Sequence, residues 1–142
     1  MITRFEFTSD GAMISLPENQ ALGKLLHAAH AASMPTLALC HGPAALLSAS
    51  KVDGAEFCYK GYSMVTFSDK TDAISPKIGY MPGPMPWLVQ KALTDQGAQT
   101  LNTAEKGATH VDRELITGDS PDASNAVGLI AAPMMVTYAA KA

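Results

Sequence analysis

Cys40 and His41 are neighbours in Thr36-Leu37-Ala38-Leu39-Cys40-His41-Gly42-Pro43-Ala44-Ala45-Leu46-Leu47, and a thiol beside an imidazole can do nucleophilic chemistry. The first half of the stretch is a short apolar run of the kind a buried parallel strand shows. The second half opens with Gly-Pro and continues in good helix formers. The pair therefore falls at a strand-to-helix turn. Such a turn exposes a side chain at the carboxyl end of a sheet and sets it beside the first unpaired N–H groups of a helix, where the dipole favours negative charge. A thiolate is the reactive form of cysteine, so this address suits a nucleophile. An inert cysteine buried on a core strand has the same local sequence, and the residues alone leave both readings open. Only half of the G-x-S-x-G elbow pattern is present, because Ala38 stands where its first glycine would be.

Other chemistry-bearing residues are scattered. Asp69 and Asp72 lie just past a strand candidate at residues 62–67; either could orient a histidine, although on local sequence alone ordinary turn chemistry is the plainer explanation. His27 and His30 are three apart on a helical stretch, but with no third ligand nearby they read as solvated helix residues rather than a metal pair. Cys58 sits in the polar, turn-rich stretch 50–61, which reads as a surface connection. Two cysteines form neither a disulfide framework nor a metal cluster. Tyr80 and Met81 belong to Gly79-Tyr80-Met81-Pro82-Gly83-Pro84-Met85-Pro86, a rigid loop because proline removes ladder donors and fixes φ; they either wall a pocket or simply pack.

The elements that must position these groups follow from periodicity. Residues 4–8 alternate like a strand, Ser9-Asp10-Gly11 turns, and Leu16-Pro17-Glu18-Asn19 starts a helix. Leu22, Leu25, Leu26 and Ala29 form one apolar stripe on that helix, which ends before Pro35. A further helix is predicted over 87–96, stopping at Gly97. Strands are predicted over 99–102, 109–112 and 114–117. Ser120 as N-cap and Pro121 at N1 open a last helix over 122–138, with a kink or early end at Pro133. Strands alternating with helices predict an α/β fold with a mainly parallel sheet. At 142 residues and 47% apolar, the chain reads as a single domain, residues 1–142. A net charge of −3 with no Lys/Arg cluster argues against a nucleic-acid partner. The absence of a spanning apolar run argues against a membrane, and the first residues do not lead into a signal-type apolar core, so a cytoplasmic protein is expected.

Leu39-Cys40-His41-Gly42-Pro43-Ala44-Ala45, Gly61-Tyr62-Ser63 and Ile78-Gly79-Tyr80-Met81-Pro82-Gly83 stand in an order that resembles the Hsp31 branch of the DJ-1/PfpI superfamily. Asp112-Arg113, Leu115-Ile116-Thr117-Gly118-Asp119-Ser120-Pro121 and Asn125-Ala126 extend the match over essentially the whole chain, as the carboxy-terminal part of a longer family protein. The resemblance implies a flavodoxin-like parallel-sheet sandwich, truncated at the amino end. It also implies glyoxalase III, protein deglycase and holding-chaperone activities. Carried over by motif, Cys40 is the nucleophile, His41 its acid/base neighbour and Asp72 the carboxylate that orients the histidine. Gly11, Gly42 and Tyr80 are taken as substrate-binding positions. The implied partners are small 2-oxoaldehydes such as methylglyoxal, or glycated and unfolded proteins, with no organic cofactor.

The departures set the rival reading. The family's thiol-bonding glutamate and metal-binding His/Glu residues have no counterpart, and Ser9-Asp10-Gly11 replaces a Gly-Gly-x-Gly turn, so no metal site is expected. Asp10 there would oppose negative charge developing on a substrate. The alternative is a catalytically inactive, chaperone-like or partner-binding module. Loss of opening strands would leave an unpaired sheet edge, which predicts a homo-oligomer.

Overall fold

The apolar run Thr36–Leu39 forms β1, and all four of its residues are buried, as a strand covered on both faces requires. In the computed structural model, which describes residues 12–79 and 81–141, β1 runs parallel to β5 (Leu115–Gly118). The register pairs Thr36 with Leu115 and Leu39 with Gly118. β4 (Thr109–Asp112) joins the far side of β5 in antiparallel fashion, giving the order β1-β5-β4. β2 (Ser63–Met64) and β3 (Gln99–Thr100) form a second, parallel ladder. The expected α/β class with parallel strands is present. The antiparallel hairpin 109–118 departs from it because a two-residue turn, Arg113-Glu114, is too short for a parallel crossover.

Helices cover both faces. On one side α2 (Gln20–Ala31), a tightly wound 3₁₀ helix at Gly42–Lys51 and α4 (Val89–Asp95) enclose Leu26, Leu46, Tyr59, Met64, Leu93 and Leu115. The short α1 (Ala12–Ser15) brings Met13 into the same cluster. On the other side α5 (Ser124–Ala139) sets Val127 and Ala131 against Leu37, Leu39 and Ile116. The 3₁₀ helix is buried from Gly42 to Ala49, which places the helix after Cys40 under the core rather than at the surface.

Several local expectations change. The stretch 50–61 is not a plain surface connection: Phe57 and Tyr59 are buried because the core needs large rings between α2 and β2. The segment 62–67 is strand only at Ser63–Met64; beyond it Val65 N–H donates to Thr117 Oγ1 and Thr66 N–H to Asn102 Oδ1, so side chains replace the ladder. The stretch Ser68-Asp69-Lys70-Thr71-Asp72 is a helix start: α3 (Asp69–Ile74), with the Ser68 hydroxyl accepting from Thr71 N–H. Ser120 turns its hydroxyl to Asp119 instead of capping, and a single turn, Pro121–Ala123, precedes α5. Pro133 does not end α5, which continues to Ala139. Pro133 and Leu129 are both exposed, so the carbonyl deprived of its N–H partner is open to water. Leu25, assigned to the apolar stripe, is 52% exposed, while Leu22, Leu26 and Ala29 are buried.

The approach of α2 to the 3₁₀ helix is decided by Gly23, where an added Cβ would collide with the Ser48 carbonyl oxygen and lie 2.8 Å from Val52 Cγ2. Glycine to alanine inside an unhindered helix stabilises by about 1 kcal/mol. At Gly23 overpacking against backbone reverses the sign, and Gly23→Ala is expected to destabilise by roughly 1–3 kcal/mol, read as a lower urea midpoint at unchanged slope.

Candidate active site

The elbow is built by strain that its neighbours hold in place. Cys40 has φ 61°, a left-handed conformation that costs a non-glycine residue about 1–3 kcal/mol and clusters at functional sites. Its backbone is secured on both sides: Cys40 N–H donates to Gly118 O at 2.9 Å, and Cys40 O accepts from Phe67 N–H at 2.9 Å. Gly118 has no side chain for a reason, since a Cβ there would lie 2.5 Å from Leu39 Cδ1 and 2.8 Å from Val127 Cγ2. Continuing β1 beyond Leu39 would bury the next side chain; the turn at Cys40 instead leaves its thiol half-exposed.

His41 caps the 3₁₀ helix and is 1% exposed; Asp72, one turn into α3, is 2% exposed. The imidazole lies between two groups: Nδ1 is 3.5 Å from Cys40 Sγ, and Nε2 is 3.1 and 3.0 Å from Asp72 Oδ1 and Oδ2. Phe67 stacks on its face, with ring centroids 4.6 Å apart and planes at 28°. Burial opposes the imidazolium, but hydrogen bonds to Asp72 and Cys40 and their negative charges outweigh it, raising the His41 pKa from 6.5 to about 10. The side chain is therefore biased toward its cationic form, with the Cys40 thiol on one edge and the Asp72 carboxyl group on the other. That arrangement can exchange a proton between the imidazole, the sulfur and an adduct.

Of the two aspartates, the structure brings Asp72 to the imidazole. Asp69 points elsewhere and caps α4, accepting from Gln90 N–H at 2.8 Å and Lys91 N–H at 2.9 Å. Gly42 is buried as the first residue of the 3₁₀ helix. Gly11, Tyr80 and the turn Ser9-Asp10-Gly11 lie outside the described residues. His27 and His30 are partly exposed and each bonds the protein as well: His27 Nε2 bonds Ala49 O at 2.9 Å, and His30 Nε2 bonds the Tyr62 hydroxyl at 3.0 Å. Among the described residues no three His, Cys, Asp or Glu side chains converge as a metal-binding group. Residues with no sequence signal also enter the site. Phe67 reads as one apolar strand residue among several, and its stacking on His41 depends on the fold.

A strained cysteine elbow at the carboxyl end of a parallel strand, with helices on both faces of the sheet, is the DJ-1/PfpI architecture, and this chain has that fold. The crystal structure of glyoxalase III from Candida albicans is similar over 94% of this chain and 56% of its own, at TM-score 0.69 and 17% identity. The Rapid Encystment Protein 24 KDa of Francisella tularensis is similar over 92% of this chain and 56% of its own, at TM-score 0.77 and 20% identity. No family model matches the sequence. "Protein/nucleic acid deglycase HchA" of Pseudomonas aeruginosa (strain UCBPP-PA14) is 41% identical over 128 residues, and its counterpart in Escherichia coli (strain K12 / DH10B) is 42% identical over 130. The alignments take in 89% and 91% of this chain but 44% and 45% of those proteins, so the chain spans under half the length of these curated relatives. With these homologues the chain belongs to the Hsp31 branch of the DJ-1/PfpI superfamily.

Two outcomes follow from the geometry. Burial pushes the Cys58 thiol up to about 11, whereas Cys40 faces the His41 cation, so iodoacetamide at pH 7 should label Cys40 at least tenfold faster in peptide-resolved mass spectrometry. His41, with its folded pKa above its unfolded value, stabilises the fold fully below about pH 6.5, and that contribution is lost as pH rises through 10. Unfolding free energy should fall across that window, and Asp72→Asn should flatten the fall in urea titrations run at successive pH values.

Proposed function

We propose that Cys40, His41 and Asp72 form a nucleophilic triad that acts on 2-oxoaldehydes such as methylglyoxal, or on their adducts with proteins, as a glyoxalase III or deglycase. The observation that carries this reading is the continuous Cys40–His41–Asp72 contact at a left-handed elbow. Support comes from relatives whose name is protein/nucleic acid deglycase. That name adds glycated nucleic acids to the candidate substrates, although the sequence carries no basic patch. Recognition would then fall on the adduct rather than on the phosphate backbone.

In the proposed step the Cys40 thiolate attacks the aldehyde carbon, forming a C–S bond, and the resulting oxyanion takes a proton from the His41 imidazolium. Neutral His41 then removes the hydrogen from the former aldehyde carbon as a proton and delivers it to the adjacent carbon, while the hydroxyl proton passes to the former ketone oxygen, giving a 2-hydroxy thioester. Water cleaves the C–S bond and releases a 2-hydroxy acid and the thiolate. With an amine adduct, a carbinolamine, the thiolate displaces the amine at the same carbon, the C–N bond breaking as the C–S bond forms and the amine leaving with the proton of the His41 imidazolium, and the same hemithioacetal then rearranges. Asp72 holds the imidazole by Nε2 throughout and keeps Nδ1 facing sulfur. Gly42 and Tyr80 are proposed to line the substrate position, with Gly11 offering backbone to the oxyanion. No organic cofactor enters this chemistry. Two free thiols and no membrane-crossing helix among the described residues accord with a cytoplasmic setting.

A second reading is favoured by surface chemistry: Ile14, Ile78, Leu129 and Val136 are each more than 60% exposed. Leu129 and Val136, seven residues apart on α5, share one exposed face of that helix, which suits a holding module or a self-associating chain. Methylglyoxal loss decides between them. Cys40→Ala and His41→Ala should abolish turnover, and Asp72→Asn should lower it by roughly 10²-fold or more, against less than tenfold for Asp69→Asn. Equal rates in the wild type and Cys40→Ala, together with suppressed aggregation of an unfolded client, would leave the module reading in its place.

A further inference from the structure

Asp72 can orient His41 only if α3 is held in register with the elbow, and α3 is six residues long. So short a helix contributes little stability of its own. What fixes it is the loop after β3. Asn102 grips the backbone of Thr66 from both sides, Oδ1 accepting from Thr66 N–H at 3.0 Å and Nδ2 donating to Thr66 O at 2.7 Å. Three residues on, Glu105 Oε1 accepts from Ser68 N–H at 2.6 Å and Oε2 from the Thr71 hydroxyl. Between those two grips lies Phe67, stacked on His41, and immediately after them comes Asp72. The loop is itself tied to the carboxyl end of β5. Lys106 N–H donates to Asp119 Oδ2 at 2.8 Å, Asp119 N–H donates to Ala108 O at 3.0 Å, and Asp119 is fully buried.

We propose that Glu105 is a positioning residue for the triad: its carboxylate clamps Ser68 and Thr71, and through them sets the Asp72 carboxylate on His41 Nε2. The inference rests on the triad reading above and deepens it, since nothing in the cysteine motif points to residue 105. A carboxylate suits the task because it bonds two donors on two different residues at once. Its own charge is compensated, with burial opposing ionisation and the Thr71 and Ser68 donors overcoming it to lower the Glu105 pKa. Glu105 is bonded to Ser68 and Thr71, not to the imidazole, so it acts on His41 as a positioning residue through Asp72, which bonds His41 Nε2.

The test reads His41 directly in the full 142-residue chain, by NMR titration of labelled histidine, beside the pH profile of Cys40 alkylation by iodoacetamide. Glu105→Ala should drop the His41 pKa by about one unit or more toward 6.5 and shift the alkylation profile with it. Glu105→Gln, which keeps an acceptor for Ser68 but gives up the one for Thr71, should lower the His41 pKa less than Glu105→Ala does. Thr71→Val removes one of the two clamp bonds and should give a smaller drop in the same direction; it decides the matter if Glu105→Ala does not fold. In an Asp72→Asn background the Glu105→Ala effect should vanish, because Glu105 then has no carboxylate to position. An unchanged His41 pKa in folded Glu105→Ala or in Thr71→Val, or an equal drop with Asp72 already replaced, would overturn the proposal. Methylglyoxal loss measured in parallel separates the two readings: a His41 shift without turnover in the wild type upholds the clamp and ends the deglycase assignment.

Discussion

One buried pair, His41 and Asp72, governs this structure. Taking an imidazolium out of water costs several kcal/mol, and the His41 side chain is almost fully enclosed. The cost is met by both oxygens of Asp72 at 3.0 and 3.1 Å and by the thiol of Cys40 at 3.5 Å. Asp72 is equally buried, so neither partner has water to fall back on. Removing either member of such a pair leaves an uncompensated charge, typically a loss of about 3–5 kcal/mol. The segment 66–72 must therefore lie where it does, and the loop carrying Asn102 and Glu105 is the part of the chain that puts it there.

The elbow stores strain at the point where chemistry is proposed, and the sheet dissipates it. The hydrogen bonds of Cys40 to Gly118 and Phe67 replace those the left-handed turn gives up, and the bare Cα of Gly118 lets α5 pack under β1. At the opposite end of the same strands, a second polar cluster has no thiol and a different task. The Arg113 guanidinium lies 3.4 Å from the Tyr62 ring centroid and bonds Asp112, whose carboxyl it holds far below the ordinary range. Asp112 accepts from both the backbone N–H and the hydroxyl of Ser63, and Tyr62 donates to Glu114. These bonds lash β2 to the β4–β5 hairpin, where no backbone ladder joins them. The resemblance motifs Gly61-Tyr62-Ser63 and Asp112-Arg113 thus meet in space as structural partners.

The sequence by itself determined the elbow. Three apolar residues, Leu37-Ala38-Leu39, followed by Cys-His-Gly-Pro indicate a strand turning into a helix, because a short apolar run and proline at a helix start are read from immediate neighbours in the chain. The same holds for the α/β class and the main helices, since 3.6-residue periodicity is read within a single element. Local spacing left the choice between Asp69 and Asp72 open, and only the family resemblance pointed to Asp72. The two are three residues apart, and only the docking of α4 onto Asp69 leaves Asp72 for the histidine. The roles of Phe67, Asn102 and Glu105 were equally closed to inspection, as were the hydrogen bonds of His27 and His30 to Ala49 and Tyr62. Each is a contact between residues more than twenty positions apart, and a side chain's type and neighbours along the chain carry no record of what packs against it. Tertiary structure alone decided those pairings, because the energy of a buried hydrogen bond or ion pair depends on enclosure that many distant residues supply together.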